Sequence, residues 1–190
     1  MIQSKTKLFI DMDGVTAKWN PDASIEDTYK PGYFLAREPE EKLIKAINLY
    51  LRTVGPVCIL SATYGKSQQL EKLSWLRNQF PSCNILDPGF KRTFESDMET
   101  VFCPYGVSKK QFIIDNYEDL LSDVNILMDD FSNNLREWND PVSKFIGLKF
   151  MNDINGTKGT WTGLKMDGRM STTNQYITLK AISDYYSKVA

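Results

Sequence analysis

Leu8-Phe9-Ile10-Asp11-Met12-Asp13-Gly14-Val15 decides the fold. A short apolar run ends in two carboxylates one residue apart, and a glycine follows at once. Such a run beside a breaker predicts a buried strand with Asp11 at its C-terminal end. Open α/β sheets place their ligand crevice at that edge. Alternation along a strand sends residues i and i+2 to the same side, so Asp11 and Asp13 are expected to converge on one small volume. Gly14 then lets the chain turn away at little steric cost. Converging carboxylates repel, which favours a hard cation, a shared proton or a charged substrate. A lone Asp-x-Asp also suits a helix cap or a solvated turn, so its partners downstream decide between the readings.

Those partners come from a chain in which strand and helix alternate. Glu38 to Leu51 has apolar residues at helical spacing (Leu43, Ile44, Ile47, Leu51), with Pro39 acceptable in the first turn. Val57 to Leu60 reads as a second strand and runs into Ser61-Ala62-Thr63. Ser67 to Phe80 reads as a helix with Leu70, Leu73 and Leu76 inward and Trp75 at the edge of that face. Asn84 to Leu86 and a short Thr100 to Phe102 are further strands, and Ser108 is a good N-cap for a helix through Leu121. Val124 to Met128 is a strand that ends in Asp129-Asp130; a short helix from Ser132 to Trp138 and a strand from Phe145 to Phe150 follow. Asn152 to Thr172, rich in Gly, Thr and Asn, is expected to be a loop or small hairpin, and Asn174 to Val189 an amphipathic helix. The alternation predicts the α/β class with a mostly parallel sheet.

Composition narrows the chemistry. The 190 residues suit one α/β domain with room for a small insertion. A net charge of -1 gives no global basic field to gather nucleic acid. No segment approaches the roughly 20 apolar residues of a membrane span, and the N-terminus lacks a signal peptide's apolar core, so a cytoplasmic protein is expected. Cys58, Cys83 and Cys103 are odd in number and widely spaced, which argues against a disulfide framework or a zinc cluster. The absence of histidine is more informative: it removes Ser-His-Asp and Cys-His catalysis together with histidine-ligated zinc. Carboxylates, lysines, hydroxyls and a metal remain.

Asp11/Asp13, Ser61/Thr63 and Asp129/Asp130 stand at three strand ends, and Lys109 at a helix start. Adjacent parallel strands would bring all four sets to one edge. The grouping suits phosphoryl transfer, with carboxylates holding Mg²⁺, a lysine and a hydroxyl binding phosphate oxygens, one aspartate attacking phosphorus and its neighbour moving protons. Two rivals use other features. Gly65-Lys66-Ser67 follows a strand and opens a helix as a P-loop kinase would, but Leu60 stands where that pattern requires a glycine. A non-catalytic binding module would more naturally have lost Asp11 or Asp13.

Taken together, Asp11-Met12-Asp13-Gly14-Val15, the hydroxyl after Ile59-Leu60, the lysine at 109 and Leu127-Met128-Asp129-Asp130 resemble the four motifs of the haloacid dehalogenase (HAD) superfamily of phosphatases, in the right order. The resemblance implies a Rossmann-like sheet with helices on both faces, one domain over 1–190, and a cap inserted after the first strand. Here that cap would be reduced to a lid over 16–40. It also implies an aspartyl-phosphate mechanism with Asp11 as nucleophile, Asp13 as acid/base, Ser61 as the second-motif hydroxyl with Ala62 and Thr63 beside it, and Lys109, rather than Lys110, as the third-motif lysine. Mg²⁺ would be held by Asp11, the Asp13 carbonyl, Asp130 and Asp129. Pro31-Gly32-Tyr33-Phe34-Leu35 and Glu71-Lys72-Leu73-Ser74-Trp75 are further similar to the 5′(3′)-deoxyribonucleotidase branch, which implies nucleotide contacts from Tyr33 and Phe34. The expected substrate is a small phosphomonoester, a nucleoside monophosphate foremost. Another small phosphoester or a nucleic-acid 3′-phosphate end stays open as an alternative.

Overall fold

The computed structural model describes residues 5–154 and 160–189. Seven strands form one all-parallel sheet: β1 (Thr6–Ile10), β2 (Val57–Thr63), β3 (Asn84–Ile85), β4 (Asp97–Pro104), β5 (Val124–Asp129), β6 (Phe145–Met151) and β7 (Leu164–Asp167). Their spatial order is β3-β4-β2-β1-β5-β6-β7, so the opening strand lies at the centre. Among the described residues five α-helices accompany them: α1 (Glu41–Thr53), α2 (Lys66–Gln79), α3 (Lys109–Tyr117), α4 (Ser132–Trp138) and α5 (Thr172–Val189). The arrangement is Rossmann-like. Among the described residues, no helix is long and apolar enough to cross a membrane.

Alternation along the central strands divides the core in two. Leu8 and Ile10 of β1 pack with Val57 and Ile59 of β2 on the side occupied by α1, α2 and α5. Phe9, Cys58, Leu60 and Leu127 point the other way, onto Ile113 of α3 and Leu135 and Trp138 of α4. The same alternation carries past the strand ends. It sends Asp11 to the α3 side with Phe9, and Ser61 to the α2 side with Ile59.

Several elements differ from the sequence reading. β4 runs over Asp97–Pro104 rather than a short Thr100 to Phe102, because Asp97, Glu99 and Thr100 are buried polar residues that interrupt the apolar pattern. Asn152 to Thr172 is neither pure loop nor hairpin: it holds β7, which pairs parallel to β6 from Leu148↔Leu164 to Met151↔Asp167. Trp161 anchors that turn, as its indole donates to Leu164 O (2.8 Å) and fills the space that Gly147 and Gly163 leave by having no side chain. α3 ends at Tyr117 in a 3₁₀ turn, Glu118–Leu120. In α2, Leu70 is exposed and Trp75 is buried, so the inward face is rotated from the one expected. Asn155-Gly156-Thr157, which matches the glycosylation triplet and is expected to be a plain turn, and Lys158 lie outside the described residues.

α1 begins at Glu41, not Glu38, since residues 38–40 are engaged elsewhere. Lys18 N donates to Glu38 O and Glu40 N to Thr16 O, both at 2.8 Å. The segment between is a loop pinned at its base, with one 3₁₀ turn over Glu26–Tyr29. Side chains of α2 at helical spacing hold its backbone. Gln68 Nε2 donates to Thr28 O (3.0 Å), the Glu71 carboxylate accepts from Gly32 N (2.7 Å) and Phe34 N (3.2 Å), and Trp75 Nε1 donates to Arg37 O (2.8 Å).

Candidate active site

The register of the central strands assembles the site. Ile10 lies opposite Met128 and Asp11 N donates to Met128 O (2.9 Å), which sets Asp11 beside Asp129. Asp11, Asp129 and Asp130 are all buried, and each offers a carboxylate oxygen within 4.8 Å of the others. Three converging carboxylate oxygens are a donor set for a hard divalent cation. Gly14 makes room for this cluster. It has φ +78°, and a Cβ on it would overlap the Asp130 carboxylate. Asn152 at the end of β6 ties the two together, as its Nδ2 donates to Gly14 O (2.7 Å) and Asp130 Oδ2 (3.2 Å).

Two buried lysines flank the carboxylates. Lys109, in the first turn of α3, is 3% exposed and reaches Asp11 Oδ1 (3.0 Å) and Asp129 Oδ2 (2.7 Å). Desolvation works against its charge, but Asp11 and Asp129 more than offset it and hold the ammonium well above its usual range. Lys110, one position on, turns outward to Asp140 (3.2 Å). Of the two, Lys109 is therefore the lysine that meets Asp11. Asp129 is further held by Phe131 N (2.8 Å) and Asn134 Nδ2 (2.9 Å), and burial, reinforced by Asp11, pushes its carboxyl up.

Asp13 leads away from this trio. Its carboxylate meets Lys72 Nζ at 2.5 Å, and the same ammonium donates to Ser61 Oγ (2.9 Å) and Ala62 O (2.8 Å). Desolvation raises the Asp13 carboxyl against the pull of Lys72, and nearby Asp11 adds to the rise. The expected convergence of Asp11 and Asp13 thus resolves into two neighbouring groups, Asp11 with Lys109 and Asp13 with Lys72. Ser61 is fully buried, Ala62 is half-buried, and Thr63 is buried with Gln69 Nε2 on its hydroxyl (3.3 Å).

Lys72 is the main site residue that the sequence reading did not place there. It sits mid-helix in α2, where a lysine ordinarily reaches solvent, yet it is 1% exposed. The signal that could have found it is its spacing of one helical turn from Gln68 and Trp75, which share the inward face. Lys149 on β6 is a further buried cation. It lies opposite Asp129 and donates to Ser132 Oγ (2.8 Å); burial lowers it, and Asp130 pulls the other way.

The two aromatics expected to contact substrate are placed differently from one another. Phe34 is 4% exposed, with Lys72 Nζ 4.5 Å from its ring centre, so its face is already occupied. Tyr33 is half-buried and lies under the Arg37 guanidinium (4.5 Å). A surface cavity of about 570 Å³ opens by Trp19, Glu38, Lys42 and Arg169, and of the site residues above Asn152 alone lines it. Gly65, Lys66 and Ser67 are exposed, and Gly65 is extended (φ 171°) rather than curled around an anion site. Comparison with protein-family models gives no match, and neither does comparison with curated proteins.

Proposed function

We propose that the chain is a Mg²⁺-dependent phosphomonoesterase that works through an aspartyl-phosphate on Asp11, with a nucleoside monophosphate as its substrate. The observation that carries this reading is Asp11 itself: a buried carboxylate on Lys109, within 4.8 Å of two further carboxylates, beside a second acid held by Lys72. Such a grouping has both a nucleophile and the positive charge to receive a phosphate. The buried trio fits a dication, and Mg²⁺ held by Asp11, Asp129 and Asp130 would supply charge neutralisation to the phosphate oxygens.

The chain's own residues account for the remaining steps. An Asp11 carboxylate oxygen attacks phosphorus, and the ester oxygen leaves with a proton from Asp13. Lys109 and Lys72 would pair with the phosphoryl oxygens, and Ser61 adds a hydroxyl through its contact with Lys72. Water then attacks the aspartyl-phosphate while Asp13 takes its proton, which regenerates Asp11 and releases inorganic phosphate. The resemblance to the HAD phosphatases supports these roles, and the deoxyribonucleotidase-like stretches support the nucleotide.

Phosphate release from a panel of phosphomonoesters, with and without EDTA, tests the reading. Hydrolysis is expected to require the metal and to fall by at least about 10³-fold in Asp11→Asn. Activity that survives chelation or that substitution would overturn it. ATP-dependent transfer abolished by Lys66→Ala would install the kinase alternative.

A further inference from the structure

We infer that Tyr29, Tyr64 and Tyr105 form a stacking platform for the base of a nucleoside monophosphate whose phosphate lies against Asp11, an inference that rests on the phosphatase reading above. The three rings come from separate elements. Tyr29 ends the lid's 3₁₀ turn, Tyr64 follows β2 and Tyr105 follows β4. Tyr64 and Tyr105 stack with centroids 4.3 Å apart at 27°, and Tyr29 adds a third ring 5.1 Å from Tyr64 at 42°. They are 56%, 39% and 59% exposed in chain order, so the middle rung is the most covered and the free faces are those of Tyr29 and Tyr105.

Backbone contacts hold the ladder in place. Gln68, itself buried, accepts from Tyr64 N (2.9 Å) and donates to Thr28 O (3.0 Å), one residue before Tyr29. Tyr105 N donates to Thr63 O (2.9 Å). Rings fixed before a ligand arrives lose little conformational freedom on binding, which is how aromatic anchors gain affinity.

Geometry selects the ligand. A cage for a quaternary ammonium needs ring faces turned toward one point, whereas Tyr64 and Tyr105 stack face to face with Tyr29 tilted beside them, an arrangement that suits another planar ring on Tyr105. The position fits one nucleotide. Tyr64 stands three residues after Ser61, so their Cα atoms are at most about 10 Å apart, the order of the gap one sugar spans between phosphate and base. Phe34, the base contact implied by the resemblance, has its face against Lys72 instead.

The test compares wild type, Tyr105→Ala, Tyr105→Phe and Tyr64→Ala in two assays. In steady-state hydrolysis, Tyr105→Ala should raise KM about tenfold more for nucleoside monophosphates than for glycerol phosphate, and Tyr105→Phe should restore most of the loss. In calorimetry without metal, unphosphorylated nucleosides should bind wild type weakly and Tyr105→Ala about tenfold more weakly still. An equal effect on glycerol phosphate, or nucleotide KM values within twofold of wild type in both alanine variants, would overturn the platform. So would a selective loss of phosphocholine, or tighter binding of short single-stranded oligonucleotides than of mononucleotides through the same tyrosines. If wild type hydrolyses no phosphomonoester, the phosphatase reading fails by itself, and the nucleoside calorimetry still decides the stacking.

Discussion

Lys109 and Lys110 are neighbours of the same type with opposite tasks, and their difference is measurable. Lys109→Met leaves Asp11 and Asp129 buried together without their cation, which should cost about 3–5 kcal/mol in urea unfolding with EDTA present. Lys110→Met breaks a partly exposed pair with Asp140 and should cost at most about 1 kcal/mol. A second residue-scale prediction concerns Asp97, at the start of β4. Burial alone would raise its carboxyl, but Thr93 N, Phe94 N, the Asn84 amide and the Thr93 hydroxyl all donate to it and bring it down to about 2. The folded value lies below the unfolded one, so the stabilisation is complete above the unfolded value and is lost as pH falls through about 2. Asp97→Asn should therefore be less stable by about 2 kcal/mol at neutral pH, with the gap closing below about pH 4. A gap of equal size at acid and neutral pH would refute that account.

At the scale of elements, α2 is the part that couples the loop before α1 to the site. Glu71 accepts two amides of that loop, and Lys72, the next residue, holds Asp13 and Ser61. Glu71→Ala should speed hydrogen exchange at Gly32 and Phe34 while leaving the strands of the sheet unchanged, and unaltered exchange at those two amides would refute the clamp. The strand-end residues of the site were legible in the sequence because each follows its own apolar run: Asp11 after Phe9-Ile10, Ser61 after Ile59-Leu60, Asp129 after Leu127-Met128. Lys109 was legible from its helix start. Lys72 was not, since its turn spacing from Gln68 and Trp75 marks the inward face only once that face is known, and its burial depends on Asp13, Ser61 and Phe34 arriving from elsewhere. β7 was hidden for a related reason. Its residues Leu164 to Asp167 carry one fully buried side chain, Met166, and its place is set by the parallel pairing with β6.

For the molecule as a whole, the carboxylate trio joins the two halves of the sheet, so a bound cation should stabilise the entire fold. Mg²⁺ at about a hundred times its dissociation constant would add ~2.7 kcal/mol. For a chain of this size that is a rise in Tm of about 5–10 °C. The shift should vanish in Asp130→Asn and persist in Asp13→Asn, whose carboxylate faces Lys72. A Tm indifferent to Mg²⁺ in the wild type would remove the trio as a cation site. The division of the core between the two faces of the sheet follows from alternation along β1, β2 and β5.

The central position of β1 also sets an order of events during synthesis. β1 emerges first and finds β2 soon afterwards, yet its other neighbour, β5, lies far along the chain. Pairings of such sequence separation form slowly, because the loop must close before the contact rewards it. A nascent chain that carries only β1 to β4 therefore has Asp11, Asp13, Ser61 and Lys72 but lacks Asp129 and Asp130. The carboxylate trio and the Lys109–Asp129 contact come into being only as β5 docks, so the candidate site is completed in one step with closure of the central sheet rather than building up along the way.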